Sequence, residues 1–266
     1  MHDFKVDATA IVTGGSSGIG LATVDLLLSQ GARVALCGRD AERLDQAVAG
    51  LLERHPDARS RLFAKACDVL KAEQVQQFAQ ESAAALGPAS ILINNAGQGR
   101  VSTFESTDDA AWTQELHLKF FSIIHPTRAF LPQLEKSNQA AIVCVNSLLA
   151  SQPEPHMVAT SAARAGIKNL VRSLATEFAP KGIRVNGILV GLIESGQWHR
   201  RYEAREDRSQ SWEQWSSDVA RSKHIPMGRL GRPDEAARSI FFLATPMSSY
   251  TTGSHIDVSG GHSRYA

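Results

Sequence analysis

Two rhythms run along this chain. Short runs in which nearly every residue is apolar, such as ATAIVTG (8–14) and RVALC (33–37), are separated by longer stretches whose apolar residues recur every three or four positions. The first rhythm predicts strands covered on both faces and the second amphipathic helices. In order, the pattern gives a strand at 8–14, a helix from about Gly18 to Gln30 ended by Gly31, a strand at 33–37, and a helix from Asp40 to about His55 closed by Pro56. RLFAKACDV holds a third strand, 72–86 a helix stopped by Gly87-Pro88, and SILINNAG a fourth strand. A long helical stretch at 108–136 carries Pro126, where a kink is expected. AAIVCVNS is a fifth strand, 157–179 a helix with Ile167, Leu170, Leu174 and Phe178 at helical spacing, and GIRVNGIL a sixth strand. A helix from Pro233 precedes a last short strand in HIDVSGG. The alternation, with no repeat, low-complexity segment or linker, predicts an α/β fold. One domain over 1–266 holds a doubly wound parallel sheet of about seven strands with helices on both faces.

One segment breaks the alternation. Residues 194–227 are long and polar and contain Trp198, Tyr202, Trp212 and Trp215. They follow the sixth strand, beyond the carboxyl ends of the strands, where open α/β sheets hold ligands, so they read as a substrate lid. Trp212, Trp215 and Val219 form a helical stripe that suits a docking face, whereas Trp198 and Tyr202 are the candidates to cover an apolar substrate. From 196 to 224 there are six basic and five acidic residues, a near cancellation from which no anionic substrate is expected.

Composition removes several classes of function. A net charge of +1 over 266 residues implies no broad attraction to nucleic acid or to a membrane surface. No CxxC or His/Cys cluster has metal-ligand spacing, and Cys37, Cys67 and Cys144 lie in strand-like apolar contexts that suit buried free thiols. The N-terminal MHDFKVDATAIVTGG starts with charged residues and turns at once into a strand, so no signal peptide is expected. No apolar run approaches the ~20 residues that span a bilayer. A cytoplasmic location is the expectation.

TGGSSGIG (13–20) follows a strand and opens a helix. Gly14 permits a tight turn, Gly18 and Gly20 let the helix start lie close to a ligand, and the exposed N–H groups and helix dipole favour a phosphate. T-G-x-x-x-G-I-G resembles the cofactor signature of the short-chain dehydrogenase/reductase family. NNAG (94–97) resembles that family's second signature, Asp68 in CDV its adenine contact, and TGSHIDVSGG its C-terminal strand. RVNGILVG resembles the stretch that ends there in Pro-Gly, with Val190 in place of the proline. The resemblance covers nearly the whole chain. It implies a Rossmann-like NAD(P)-binding domain whose cofactor would meet Gly14, Ser16, Ser17, Gly18, Ile19, Asp68, Val69, Asn95, Ala96 and Gly97. Ile193 and Ser195 would lie at the nicotinamide carboxamide. It also implies a homotetramer assembled through 108–136, 157–179 and the C-terminal segment, and KFFSII has more apolar surface than one core face needs.

The choice of cofactor follows from ALCGRD. An NAD-preferring site has an acidic residue closing the second strand, to bond the ribose 2′-OH. Here Gly38 leaves space and Arg39 can fork onto a 2′-phosphate, which favours NADP(H); a solvated arginine at a helix start is the other reading. Asp40 suits the cap of the following helix.

The catalytic pattern departs from the family. The resemblance implies an Asn that holds a water, a Ser that polarises the carbonyl, a Tyr that donates a proton, and a Lys that lowers the Tyr pKa and binds the ribose. Ser147 matches the serine, although a strand-end serine capping a turn is the alternative. Thirteen residues on, the tyrosine position is Thr160; four further, the lysine position is Arg164; and the asparagine position is Lys119. No tyrosine lies between Ser147 and the lid. A threonine hydroxyl is a far weaker acid than a phenol of pKa ~10, and Arg164 stays charged though it can bond a ribose. Lys119 can titrate, and beside Arg164 its pKa should fall; it is either a replacement acid or an ordinary helix-surface lysine. His117 and His156 read as a helix-face and a loop histidine. The expected function is an NADP(H)-dependent oxidoreductase of a small carbonyl, alcohol or imine. Ser147 would orient the substrate, and Lys119, or a water held by Thr160, would supply the proton. An NADP(H)-binding sensor or assembly partner without turnover is the rival.

Overall fold

The computed structural model of the chain describes residues 5–264. Seven strands form one all-parallel sheet in the order β3-β2-β1-β4-β5-β6-β7. They are β1 Thr9–Thr13, β2 Arg33–Gly38, β3 Leu62–Ala66, β4 Ile91–Asn94, β5 Ala141–Ser147, β6 Arg184–Val190 and β7 His255–Val258. The order reverses at β1, which makes the carboxyl ends of β1 and β4 the switch point where ligands bind in such sheets. The helices are α1 Gly18–Ser29, α2 Ala41–Arg54, α3 Ala72–Leu86, α4 Asp109–Leu134, α5 Val158–Phe178, α6 Gly196–Glu203, α7 Trp212–Ser222 and α8 Pro233–Ala244.

Alternate residues of each strand feed two cores. Ile11, Ala35, Leu92 and Ile142 pack on one face beneath Phe78 of α3, Phe130 of α4 and Val171 of α5. Val12, Leu36, Ile93 and Val143 pack on the other beneath Val24 of α1, Leu51 of α2 and Ile240 of α8. Burial on both faces is why the strands read as unbroken apolar runs.

Local signals hold at the element ends. Asp40 caps α2 by accepting the Arg43 N–H at 3.0 Å. Gly87 closes α3 with φ +83°. At Pro126 α4 does not break: it runs through both Pro126 and Pro132 as one 26-residue helix, its buried face held against the sheet and α5. All three cysteines are free and buried.

The segment 194–227 holds two helices, α6 and α7. Ser211 and Gln214 form a reciprocal capping box that starts α7. The Trp212, Trp215 stripe docks onto α6: His199 stacks on Trp212 with ring centres 4.0 Å apart, and Trp198 lies 6.1 Å from Trp215.

Candidate active site

A cleft of about 560 Å³ opens along the carboxyl ends of β1, β4, β5 and β6. Its first wall is the glycine turn. Gly14 takes φ +65°, and a Cβ there would stand 2.9 Å from the Ala96 Cα. At Gly20 a Cβ would fall 2.2 Å from the Gly14 carbonyl oxygen, so no side chain fits where α1 crosses the turn. Ser17, at the N-cap of α1, makes no side-chain capping bond, and Ser16, Ser17, Gly18 and Ile19 all line the cleft.

The NNAG segment holds this wall in place. The Asn95 amide donates to the Thr13 and Gly14 carbonyls, each at 3.0 Å, and the Thr13 hydroxyl accepts the Asn95 and Ala96 N–H groups. Asn95 therefore braces the turn, while Ala96 and Gly97 face the cleft beside it. Gly38, Arg39, Asp68 and Val69 form the far end. Asp68 is fixed by accepting the Leu70 N–H at 3.1 Å. A Cβ on Gly38 would press within 2.9 Å of the Ser16 hydroxyl, so this position is kept small by the turn opposite.

At the other end of the cleft stand Ser147, Lys119, Arg164, Ile193 and Ser195. The Ser147 hydroxyl accepts the Leu149 N–H at 3.1 Å, capping the short turn after β5, and the residue lines the cleft. Arg164 donates to Asn146 Oδ1 at 3.2 Å, and the Asn146 amide donates back to the Arg164 carbonyl. Burial pulls the Arg164 pKa down to about 10, against the attraction of Glu115.

Lys119 is not a surface lysine. It is 5% exposed and donates to Glu115 Oε1 at 2.6 Å and to the Gln98 carbonyl. Burial lowers its pKa, the Glu115 bond opposes that, and the charge of Arg164 adds to the lowering. The fall is in the expected direction, but loss of hydration outweighs Arg164 as its cause.

Thr160 needs a correction. It is fully buried and not part of the cleft wall, so its hydroxyl does not present a water to a substrate there. It accepts the Arg100 N–H at 3.0 Å, lies 3.1 Å from the Arg100 carbonyl, and donates to Glu115 Oε1. Glu115, itself 3% exposed, thus ties Lys119 of α4 to Thr160 of α5. It lies four residues before Lys119 on one helix face, a Glu-to-Lys spacing readable in the sequence but passed over.

Tyr202 needs another. It lines neither the cleft nor the chamber beside it. Its hydroxyl donates to the Gln210 carbonyl at 3.0 Å and its ring meets Trp212 edge-on, so it fastens α6 to α7. Trp198 does reach the site, lining both the cleft and an adjoining chamber of about 300 Å³ that also touches Ser147. His156 lies on the chamber wall, and His117 stacks on Phe121 at the surface of α4.

The family described as short chain dehydrogenase matches residues 8–206. The chain belongs to that family. It is 34% identical over 262 residues to galactitol 2-dehydrogenase (L-tagatose-forming) of Cereibacter sphaeroides, covering 97% of this chain and 96% of that protein. It is similar to the NADPH-bound short chain oxidoreductase from Pseudomonas aeruginosa PAO1 containing an atypical catalytic center. That likeness has 69% identity and a TM-score of 0.93 over 97% of this chain and 98% of that one. L-Sorbose reductase from Gluconobacter frateurii, complexed with NADPH and L-sorbose, is 30% identical with a TM-score of 0.91, over 99% of this chain and all of that one.

The family implies a nicotinamide dinucleotide, and the residues fit one. Around Gly18 no heavy atom would contact an added Cβ within 4 Å, so the start of α1 is open toward the cleft. Arg164 Nε is buried without a partner in the same cleft, a donor left for a ligand's oxygen. Asn94 Oδ1 is a second unpartnered buried atom at the cleft's base.

Proposed function

We propose that the protein is an NADP(H)-dependent oxidoreductase that moves hydride to or from a small carbonyl, alcohol or imine-type substrate. The observation that carries this reading is the meeting of Ser147, Lys119 and the unpartnered Arg164 Nε on the cleft that begins at the glycine turn. The NADPH bound by the relatives from Pseudomonas and Gluconobacter supports the choice of cofactor.

The main chain of Ser16–Ile19 would hold the diphosphate at the positive end of α1. Arg39 would fork onto the 2′-phosphate, Asp68 and Val69 would border the adenine, Arg164 Nε would bond a ribose hydroxyl, and Ile193 would face the carboxamide. Bound NADPH supplies the hydride.

Ser147, its hydroxyl fixed by the Leu149 N–H, would orient the substrate's oxygen or nitrogen. The Lys119 ammonium would donate the proton that turns a carbonyl into an alcohol. Glu115 would hold that ammonium in place, and Thr160 would hold Glu115, which makes both positioning residues. An iminium substrate takes hydride without a proton, and Lys119 would then serve as a fixed charge. We also propose a homotetramer formed on the outer faces of α4 and α5, where Phe121 and Ile124 of KFFSII are half-buried in the single chain.

A screen of ketones, aldehydes and cyclic imines with NADPH and NADH, followed by absorbance of the reduced nicotinamide, tests the reading. NADPH oxidation with at least one class supports it. Tight NADPH binding without turnover on any class overturns it in favour of a binding protein.

A further inference from the structure

The chamber beside Ser147 has apolar walls, among them Leu148, Leu149, Met157, Leu192 and Trp198. Among the described residues its charged groups are three: Arg201 of α6, Lys223 just after α7, and Glu154. The lid's charges nearly cancel in number, but they do not cancel in space. Arg221 pairs with Asp218. Arg205 donates to the Tyr202 and Gln210 carbonyls and covers the Tyr202 ring. Asp207 accepts the Ser209 N–H at 2.8 Å. None of the lid's acids between 196 and 224 other than these reaches the chamber wall either, and Arg201 and Lys223 do.

Neither cation has a carboxylate partner among the described residues, whereas Arg33, Arg54, Arg61, Arg229 and Arg238 each have one. Arg201 is held with its guanidinium carbon 4.8 Å from the centre of the Trp198 ring, which leaves its N–H fork free. Glu154 is the lone acid on the wall among the described residues, and His156 Nδ1 stands 3.9 Å from it. His262 Nδ1, on the same wall, is buried without a partner. Burial keeps the His262 pKa below the usual histidine value, so it adds a neutral polar group and not a third cation.

We propose that this chamber takes a substrate with an apolar body and a terminal carboxylate, bound by Arg201 and Lys223 at the end away from the reacting carbon. The proposal rests on the reading above, in which the reacting end meets Ser147. A carboxylate suits the planar fork of a guanidinium, and the apolar walls suit the carbons between. At roughly 30 Å³ per non-hydrogen atom, the share of a water in the liquid, the chamber's volume of about 300 Å³ holds about ten.

Octanoate and octanamide, matched in size and differing in charge, test this by calorimetric titration into protein saturated with NADP⁺. Octanoate should bind about tenfold more tightly at low salt, and added salt should shrink the difference. Arg201→Gln and Lys223→Gln should each cut the octanoate advantage by up to about fivefold. Both should leave octanamide and NADP⁺ binding unchanged. Glu154→Gln, which removes the opposing acid, should raise octanoate affinity. Equal affinities for the two ligands, no binding of either, or an octanoate advantage untouched by both cation variants overturns the proposal. Because the titration needs no turnover, failure of the oxidoreductase reading would show separately, as absent NADPH oxidation.

Discussion

The two ends of the cleft are built by different means. At the phosphate end the ligand-facing groups are mostly backbone, shaped by a glycine turn of a few residues and braced by the next signature along the sheet, Asn95 on Gly14. At the catalytic end they are side chains from separate elements. Lys119 comes from α4, Arg164 from α5, Ser147 from β5, and the group that joins α4 to α5 is a buried glutamate. A backbone device works with any sequence that folds the turn. A side-chain device can be rebuilt with new residues, provided that every buried charge keeps a partner. On the function proposed above, that lets this chain carry Lys119, Thr160 and Arg164 at the positions where the family resemblance implies an asparagine, a tyrosine and a lysine.

The largest effect should come from breaking the catalytic end at its joint. Glu115→Gln leaves the Lys119 ammonium buried without a carboxylate, and losing one partner of a buried pair costs about 3–5 kcal/mol. Thermal unfolding should show a clear drop in Tm, and the double variant Glu115→Gln/Lys119→Met should recover part of it. A Tm unchanged in the single variant would mean that the pair does not hold α4 and the 98–100 loop together.

The phosphate end should respond more narrowly. On the proposed function, Arg39→Asp would remove a charge-assisted contact to the 2′-phosphate worth about 1.5–3 kcal/mol, so the NADPH preference over NADH should fall by about tenfold to a hundredfold. Titration of both nucleotides into the unmodified protein and the variant checks it. Equal affinities in the unmodified protein would remove the argument from Gly38 and Arg39. Smaller still, Trp198→Ala should raise KM by about tenfold through lost apolar contact and leave NADPH affinity alone. A matched loss of substrate and NADPH affinity would make Trp198 a prop for α6, as Tyr202 is.

The contrast between the ends also explains what could be read from the chain. The turn, the strands and Asp40 as a cap are local patterns, and each lies where the periodicity and spacing put it. Lys119 and Arg164 stand at positions that spacing from the family motifs picks out, because helices keep register even when residues change, and both line the cleft. The role of Thr160 was not legible, since its hydroxyl is turned by the Arg100 backbone and Glu115, partners 60 and 45 residues away. The segment 194–227 resists reading for the same reason: its charges balance along the chain, while Asp218 pairs with Arg221, and Arg201 and Lys223 line the chamber. Counting charges over a segment says little about a cavity that selects a few of them.

The central claim is that Lys119 has taken over the proton. Its pKa lies below the ordinary lysine value because burial disfavours the ammonium. A donor must be protonated, so the rate of carbonyl reduction should be full below that pKa and fall as pH rises through it. The decisive measurement is the pH dependence of kcat for NADPH oxidation in the unmodified protein, Lys119→Met and Thr160→Val. Lys119→Met should lose ~100-fold or more in rate and lose the alkaline decline with it, while Thr160→Val keeps the decline and loses less. An alkaline decline that persists in Lys119→Met and vanishes in Thr160→Val would contradict the account.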